Sequence, residues 1–243
     1  MTRAPAAVRW VPTVDSTQDA VHALAEQGAP EGVSVAALEQ TAGRGSRHRA
    51  WSSQPGGLWL SVLLRPARDS GMQVLSLRAG LAIVQALEAV GAHGLMLKWP
   101  NDIMAGGRKA GGILCEARWT GDRPAWVAVG AGLNVLNDLP DDLAETSARL
   151  VDHGVATALE PLAQRVADAV MDAGCAAGPL SEAERRALAT RDWLLGRRLA
   201  TPEEGWADGI QADGALRVRR DDGSTVLVRA APVDTAARVT LTE

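Results

Sequence analysis

The 243-residue sequence predicts an α+β fold, a mixed sheet with segregated helices, followed by a small all-β domain. Three observations carry this. "GVSVAALEQ" (32–40) and "GLWLSVLLRP" (57–66) read as strands separated only by a Gly- and Arg-rich loop, with no helix between them. "KAGGILCEARW" and "AWVAVGAGLNV" are joined by the turn-like "TGDRP" and so read as a hairpin, which argues against a doubly wound parallel sheet. From about residue 196 the chain becomes short β-rich runs broken by Asp-Gly turns, as in a small barrel-like domain. The expected division is 1–194 and 195–243.

The elements follow in order. "RWVPTVDSTQDAVHALAEQG" is a short extended piece leading into a helix that Ser16 or Thr17 can cap. Val21 and Leu24 give that helix its apolar stripe, and Gly28 ends it. After the two strands, residues 72–90 read as an amphipathic or largely buried helix stopped by Gly91. "LMLKW" alternates like a strand, and Pro100 breaks it. Helices are expected over roughly 158–173 and 181–194.

Composition narrows the function. A hydrophobic content of 47% with 22% charged residues is that of an ordinary globular protein, and no apolar run is long enough to span a membrane. A net charge of −4 argues against a nucleic-acid-coating protein. Two cysteines, Cys115 and Cys175, are too few for a disulfide framework, and no signal-peptide pattern opens the chain, so a cytoplasmic location is expected. Eight Trp stand with no Phe and no Tyr, so an aromatic wall around a ligand must be Trp or His. Only two lysines occur, Lys98 and Lys109, both within "KWPNDIMAGGRKAGGILCE" (98–116). Lys is a compact point charge where Arg is a planar fork, so both positions read as sites the fork does not fit.

"TAGRGSRHRAW" (41–51) sets glycines and arginines in one loop, a pattern suited to carboxylate or phosphate. Taken alone, the loop reads slightly better as an exposed basic turn. It is not a Walker A loop, because no Gly-Lys-Ser/Thr follows. "KWPNDI" is stronger: Asn101 and Asp102 sit at a turn flanked by Lys98 and by "GGRKAGG". Asn134, in the apolar run "GAGLNV", needs either a backbone or a ligand partner. His22, His48, His93 and His153 are scattered without metal-ligand spacing, and no Gly-x-Ser-x-Gly elbow occurs.

Taken in order, "DSTQD", "EQTAGRGSRHRAW", "KWPNDI", "RKAGGILCE" and "GAGLNV" resemble the biotin protein ligase family over residues 14–135. The resemblance implies a fold similar to class II aminoacyl-tRNA synthetases and lipoate ligases, with an SH3-like β-barrel at the C-terminus. It also implies adenylation of biotin with ATP and Mg2+, then transfer to one lysine of a biotin carboxyl carrier domain. The expected form is monofunctional, without a winged DNA-binding extension and without DNA as partner; a homodimer is compatible with the resemblance. Lipoate ligation, or non-catalytic biotin binding, are the rival readings.

Residue by residue, the resemblance places Ser16, Thr17, Gln18, Gln40, Gly43 and Gly112 at biotin. Arg44 and Lys109 contact both the biotin carboxylate and the α-phosphate, and Asp102 lies near the incoming amine. Gly45, Ser46, Trp51, Asn101 and Asn134 fall on the adenylate. Lys109 is the expected catalytic cation, and Lys98 is expected to pair locally with Asp102. The metal ligands are not implied. The chain departs from the usual Gly-Arg-Gly-Arg-x-Gly-Arg-x-Trp loop at Ser46, in place of Arg, and at His48, in place of Gly.

Overall fold

The computed structural model describes residues 7–66, 71–156, 158–229 and 231–235. β1 (Arg9–Val14) leads into α1 (Thr17–Glu26), and the chain returns as β2 (Ser34–Gln40) parallel to β1. β3 (Leu58–Leu64) pairs antiparallel with β2. α2 (Leu75–Glu88) is entered through a 3-10 turn at Met72–Val74. β4 (Leu95–Lys98), β5 (Asp102–Ala105), β6 (Arg108–Thr120) and β7 (Arg123–Leu133) complete a seven-stranded sheet, ordered β1-β2-β3-β7-β6-β5-β4. Every neighbouring pair except β1 with β2 is antiparallel.

α3 (Leu159–Cys175) and α4 (Glu182–Ala189) precede β8 (Arg198–Thr201), β9 (Gly205–Ile210), β10 (Leu216–Arg219), β11 (Thr225–Val228) and β12 (Asp234–Thr235). These five strands form a second, antiparallel sheet in the order β11-β10-β9-β8-β12. The mixed sheet and the C-terminal β unit are those expected. The last helix stops at Ala189, short of 194, and β5 was not foreseen after Pro100. Asp213-Gly214 and Asp222-Gly223 lie between strands, but Asp208-Gly209 falls inside β9. No helix among the described residues is long and apolar enough to cross a membrane.

Strand alternation sorts the large sheet into two faces. Ala36, Leu60, Val62, Val127, Val129 and Ile113 join the main core with α2 and α3. Removing one such side chain, as in Leu60→Ala, costs about 2–5 kcal/mol. The other face carries Val35, Leu63 and Ala128, which pack with Val21 and Ala25 of α1 into a smaller cluster. α1 covers only part of that face. Beyond its N-terminus the same face presents Trp59 and Ser61 of β3, Gly112 and Leu114 of β6, and Gly130 and Gly132 of β7. Three of these six have no side chain, and a cavity opens there.

The C-terminal sheet is seated on the same core. Leu199, Ala207, Leu216 and Val218 join the main cluster, and the Trp99 indole donates to the Gly214 carbonyl at 2.8 Å. Arg78 of α2 is buried and pins the α3–α4 connection, donating to Glu184 and to the carbonyls of Ala176, Gly178 and Pro179. Burial pushes the Glu184 carboxyl up, but its bonds from Arg78 and Ser181 prevail and hold it at about 2.

Candidate active site

The cavity measures about 620 Å³, a volume suited to a small-molecule ligand. Every residue that the resemblance places at biotin or the adenylate lines it except Gly43. Gly43 acts from behind: a Cβ there would lie 2.5 Å from the Ser53 hydroxyl and 2.6 Å from the Trp51 carbonyl, so only glycine lets the loop close against Gln40. Ser61 of β3 also lines the cavity, and sequence reasoning missed it, although a serine inside "LWLSVLL" was a visible signal.

One end of the cavity is built from amides and hydroxyls. Ser16 caps α1 from an extended backbone and accepts from the Gln18 N–H, a cap worth about 1 kcal/mol. This presents the next residues at the helix N-terminus. Gln40 Oε1 accepts from both the backbone N–H (2.8 Å) and the hydroxyl (3.1 Å) of Thr17, whose hydroxyl also lies 2.8 Å from that of Ser61. Gln40 Nε2 donates to Ser53 at 2.7 Å, and Gln18 Nε2 donates to the Leu114 carbonyl at 3.0 Å. Gln18 Oε1 is buried with no partner.

The other end holds the cations. The loop that carries Arg44 is closed on itself by a bridge between Arg44 and Ala50. The Trp51 backbone N–H donates to the Gly43 carbonyl and the Gly45 N–H to the Arg49 carbonyl, both at 2.8 Å. Arg44 donates to both carboxylate oxygens of Asp19 at 2.6 Å and to Glu116 at 3.1 and 3.5 Å. The Arg44 bond holds the Asp19 carboxyl below its usual range, and the Asp19 bond in turn raises Arg44. Asp19, Glu116 and the His22 behind them were missed by sequence reasoning, since pairing across so many residues leaves no local signal.

Lys109 bonds Asp102 at 2.6 Å, and its ammonium lies 4.9 Å from the centre of the Trp51 ring. The expected Lys98–Asp102 pair is not formed. The two are cross-strand partners in β4 and β5, but the Lys98 ammonium lies over the Trp193 ring at 5.4 Å. A bulge explains how Lys109 reaches the cavity. Ile103 pairs with Gly111 and Met104 with Lys109, so Ala110 is the extra residue. Ala110 is in the main core, and a Cβ on Gly111 would strike Leu133 there, which leaves Lys109 and Gly112 on the cavity face together.

Trp51 lies across Gly112 and Gly132, where added Cβ atoms would come within 3.3 and 2.9 Å of the indole. Its Nε1 is buried and unpartnered. Asn101 donates to the Ile113 carbonyl at 2.8 Å, and Asn134 lies just past β7, its Oδ1 accepting from Asn137 at 3.3 Å. Asn137 is therefore the partner that Asn134 needed. Ser46 accepts from Arg49 at 3.4 Å, and Arg49 also lines the cavity. The His48 side chain lies outside the described residues.

Residues 10–134 match the model of the biotin/lipoate A/B protein ligase family. The bifunctional ligase/repressor BirA of Bacillus subtilis is 44% identical over 144 residues, covering 56% of this chain and 44% of that protein. The biotin–[acetyl-CoA-carboxylase] ligase of Mycobacterium tuberculosis is 39% identical over 150 residues, covering 58% of this chain and 53% of that protein. The chain thus matches about half the length of these curated relatives. A biotin protein ligase from Aquifex aeolicus, solved with biotin and ATP, superposes with a TM-score of 0.79 at 26% identity, covering 95% of this chain and 98% of that one. The family match spans β1 to the end of β7 and takes in both ends of the cavity, and on it the chain belongs to the biotin/lipoate A/B protein ligase family.

Proposed function

We propose that this protein is a biotin protein ligase, which adenylates biotin with ATP and transfers the biotinyl group to a lysine of a biotin carboxyl carrier protein in the cytoplasm. One observation carries the reading: the amide and hydroxyl end and the two cations Arg44 and Lys109 open into a single cavity. Ser16, Thr17, Gln18 and Gln40 offer donors and acceptors to the ureido ring, and the partnerless Gln18 Oε1 suits one of its N–H groups.

Biotin carboxylate and triphosphate repel each other. Arg44 and Lys109 relieve that repulsion as the carboxylate attacks the α-phosphorus and pyrophosphate leaves; such stabilisation is worth about 3–4 kcal/mol per donor in a site closed to water. Trp51, Asn101 and Asn134 line the side assigned to the nucleotide, and closure of the Gly43–Trp51 loop keeps water from the mixed anhydride. The acceptor amine then attacks the biotinyl carbonyl and AMP leaves, with Asp102 orienting the amine. Among the described residues no group of three or more His, Cys, Asp or Glu is placed to hold a metal. Mg2+ belongs to this reading as an ion carried on the nucleotide phosphates, and no step is routed through it. Residues 1–194 hold this chemistry in the proposed division, and 195–243 form the small β-rich domain.

Biotin-dependent exchange of labelled pyrophosphate into ATP tests the reading, followed by biotinylation of an acetyl-CoA carboxylase carrier domain. Exchange with biotin, and none with lipoate, is expected. No exchange with biotin overturns it.

A further inference from the structure

Both forks of Arg44 are already taken. A guanidinium presents one donor pair from Nη1 and Nη2 and another from Nε and Nη2. Asp19 fills the first at 2.6 Å on both oxygens, and Glu116 fills the second at 3.1 and 3.5 Å. An incoming anion cannot be held bidentate unless one carboxylate leaves.

The two carboxylates are not equivalent. The Asp19 side chain is 54% exposed, so it can return to water at little cost. The Glu116 side chain is 27% exposed and is backed by His22, whose side chain is 5% exposed. The Trp126 indole donates to His22 Nδ1 at 3.0 Å, which leaves the ring proton on Nε2. That Nε2 has no hydrogen-bond partner and lies 3.5 Å from Glu116 Oε2. Moving Glu116 away would take from this buried N–H the carboxylate that faces it at 3.5 Å.

We propose that Asp19 stands in for the ligand's anion on Arg44 and is displaced when that anion binds, while Glu116, braced by His22, is the fixed anchor on which the guanidinium stays. This rests on the ligase reading and assigns Asp19, Glu116 and His22 as positioning residues.

The test is equilibrium binding of biotin, of biotin methyl ester and of ATP to the full chain, with thermal melts to confirm folding. Asp19→Asn should tighten biotin or ATP by about tenfold, and Glu116→Gln should weaken the same ligand by about tenfold, since a charge-assisted partner is lost or released. The arm that moves tells whether carboxylate or phosphate is the displacing anion. The uncharged ester should not respond to either variant. His22→Leu should weaken binding in the same direction as Glu116→Gln and add nothing on top of it, and His22→Gln, which keeps an N–H, should recover most of the loss. Shifts of the same sign in Asp19→Asn and Glu116→Gln, or no shift in folded protein, would overturn the inference. A wild type that binds no biotin would instead remove the ligase reading beneath it.

Discussion

The amide end of the cavity and the cation end are prepared in different ways. Thr17, Gln40, Ser53 and Ser61 already bond one another, so the walls there hold their geometry before any ligand arrives. Arg44 and Lys109 are instead bonded to carboxylates, Arg44 to Asp19 and Glu116 and Lys109 to Asp102. A neutral wall can be built once and left. A cation in a partly closed site needs a counter-charge, so this end must exchange partners when it works. On the proposed reading the difference teaches that recognition and reaction are separated along one cavity: the first end would select by fixed shape, the second would act by giving up an internal ion pair.

The sharpest break in this contrast is at Lys109. Lys109→Ala should lower pyrophosphate exchange by about 10²–10³-fold, as expected when a charge that meets the transition state is removed, with the melting temperature held. Lys109→Arg should restore little, because Asp102 at 2.6 Å and the Trp51 ring at 4.9 Å bound the space open to the cation. An Arg variant with near-normal exchange would defeat that size argument.

At the amide end the effect should be smaller and fall on binding. Thr17→Ala or Gln40→Ala removes a neutral hydrogen bond and leaves a partner unsatisfied, about 1–2 kcal/mol or roughly five- to thirtyfold in KM for biotin, with kcat little changed. A loss in kcat equal to the loss in kcat/KM would erase the division between the two ends.

Ser46→Arg should sharpen the cation end. A charge-assisted bond added to the bound intermediate should reduce escape of biotinyl-AMP by about tenfold. The measurement is labelling of an unrelated lysine-rich protein present with enzyme, biotin and ATP. Unchanged labelling would show that Arg49, which already bonds Ser46, supplies the missing grip.

The smallest effect concerns pH. The amide end has no titratable group, and burial lowers His22, so His22 stays neutral near neutrality. Asp19 is depressed by its Arg44 bond, so the stabilisation from that pair is present above the ordinary Asp value and is lost only as pH falls through the lowered one. Biotin binding should therefore change by less than about twofold between pH 6 and 8, as measured by titration calorimetry. A tenfold change would place a titrating group at the amide end.

Much of this was legible in the residues. Ser16 before an apolar stripe marked the start of α1, and the short apolar runs in "GLWLSVLLRP" and "AWVAVGAGLNV" marked β3 and β7, because caps and short apolar runs bounded by turn residues are local properties. The motifs from "DSTQD" to "GAGLNV" named most of the cavity's polar residues, but not Ser52, Ser61, Asn137, Glu145, Thr146 or Ser147. Tertiary structure decided how those residues are used. The bulge at Ala110 turns Lys109 to the face of Gly112, a change of parity that depends on the register of β5 against β6. Asp102 bonds Lys109 and not its cross-strand neighbour Lys98, and Arg44 bonds Asp19 and Glu116, which lie 25 and 72 residues away in sequence. The residue type sets what a side chain can bond, but the partner is whichever group the packed sheet brings within reach.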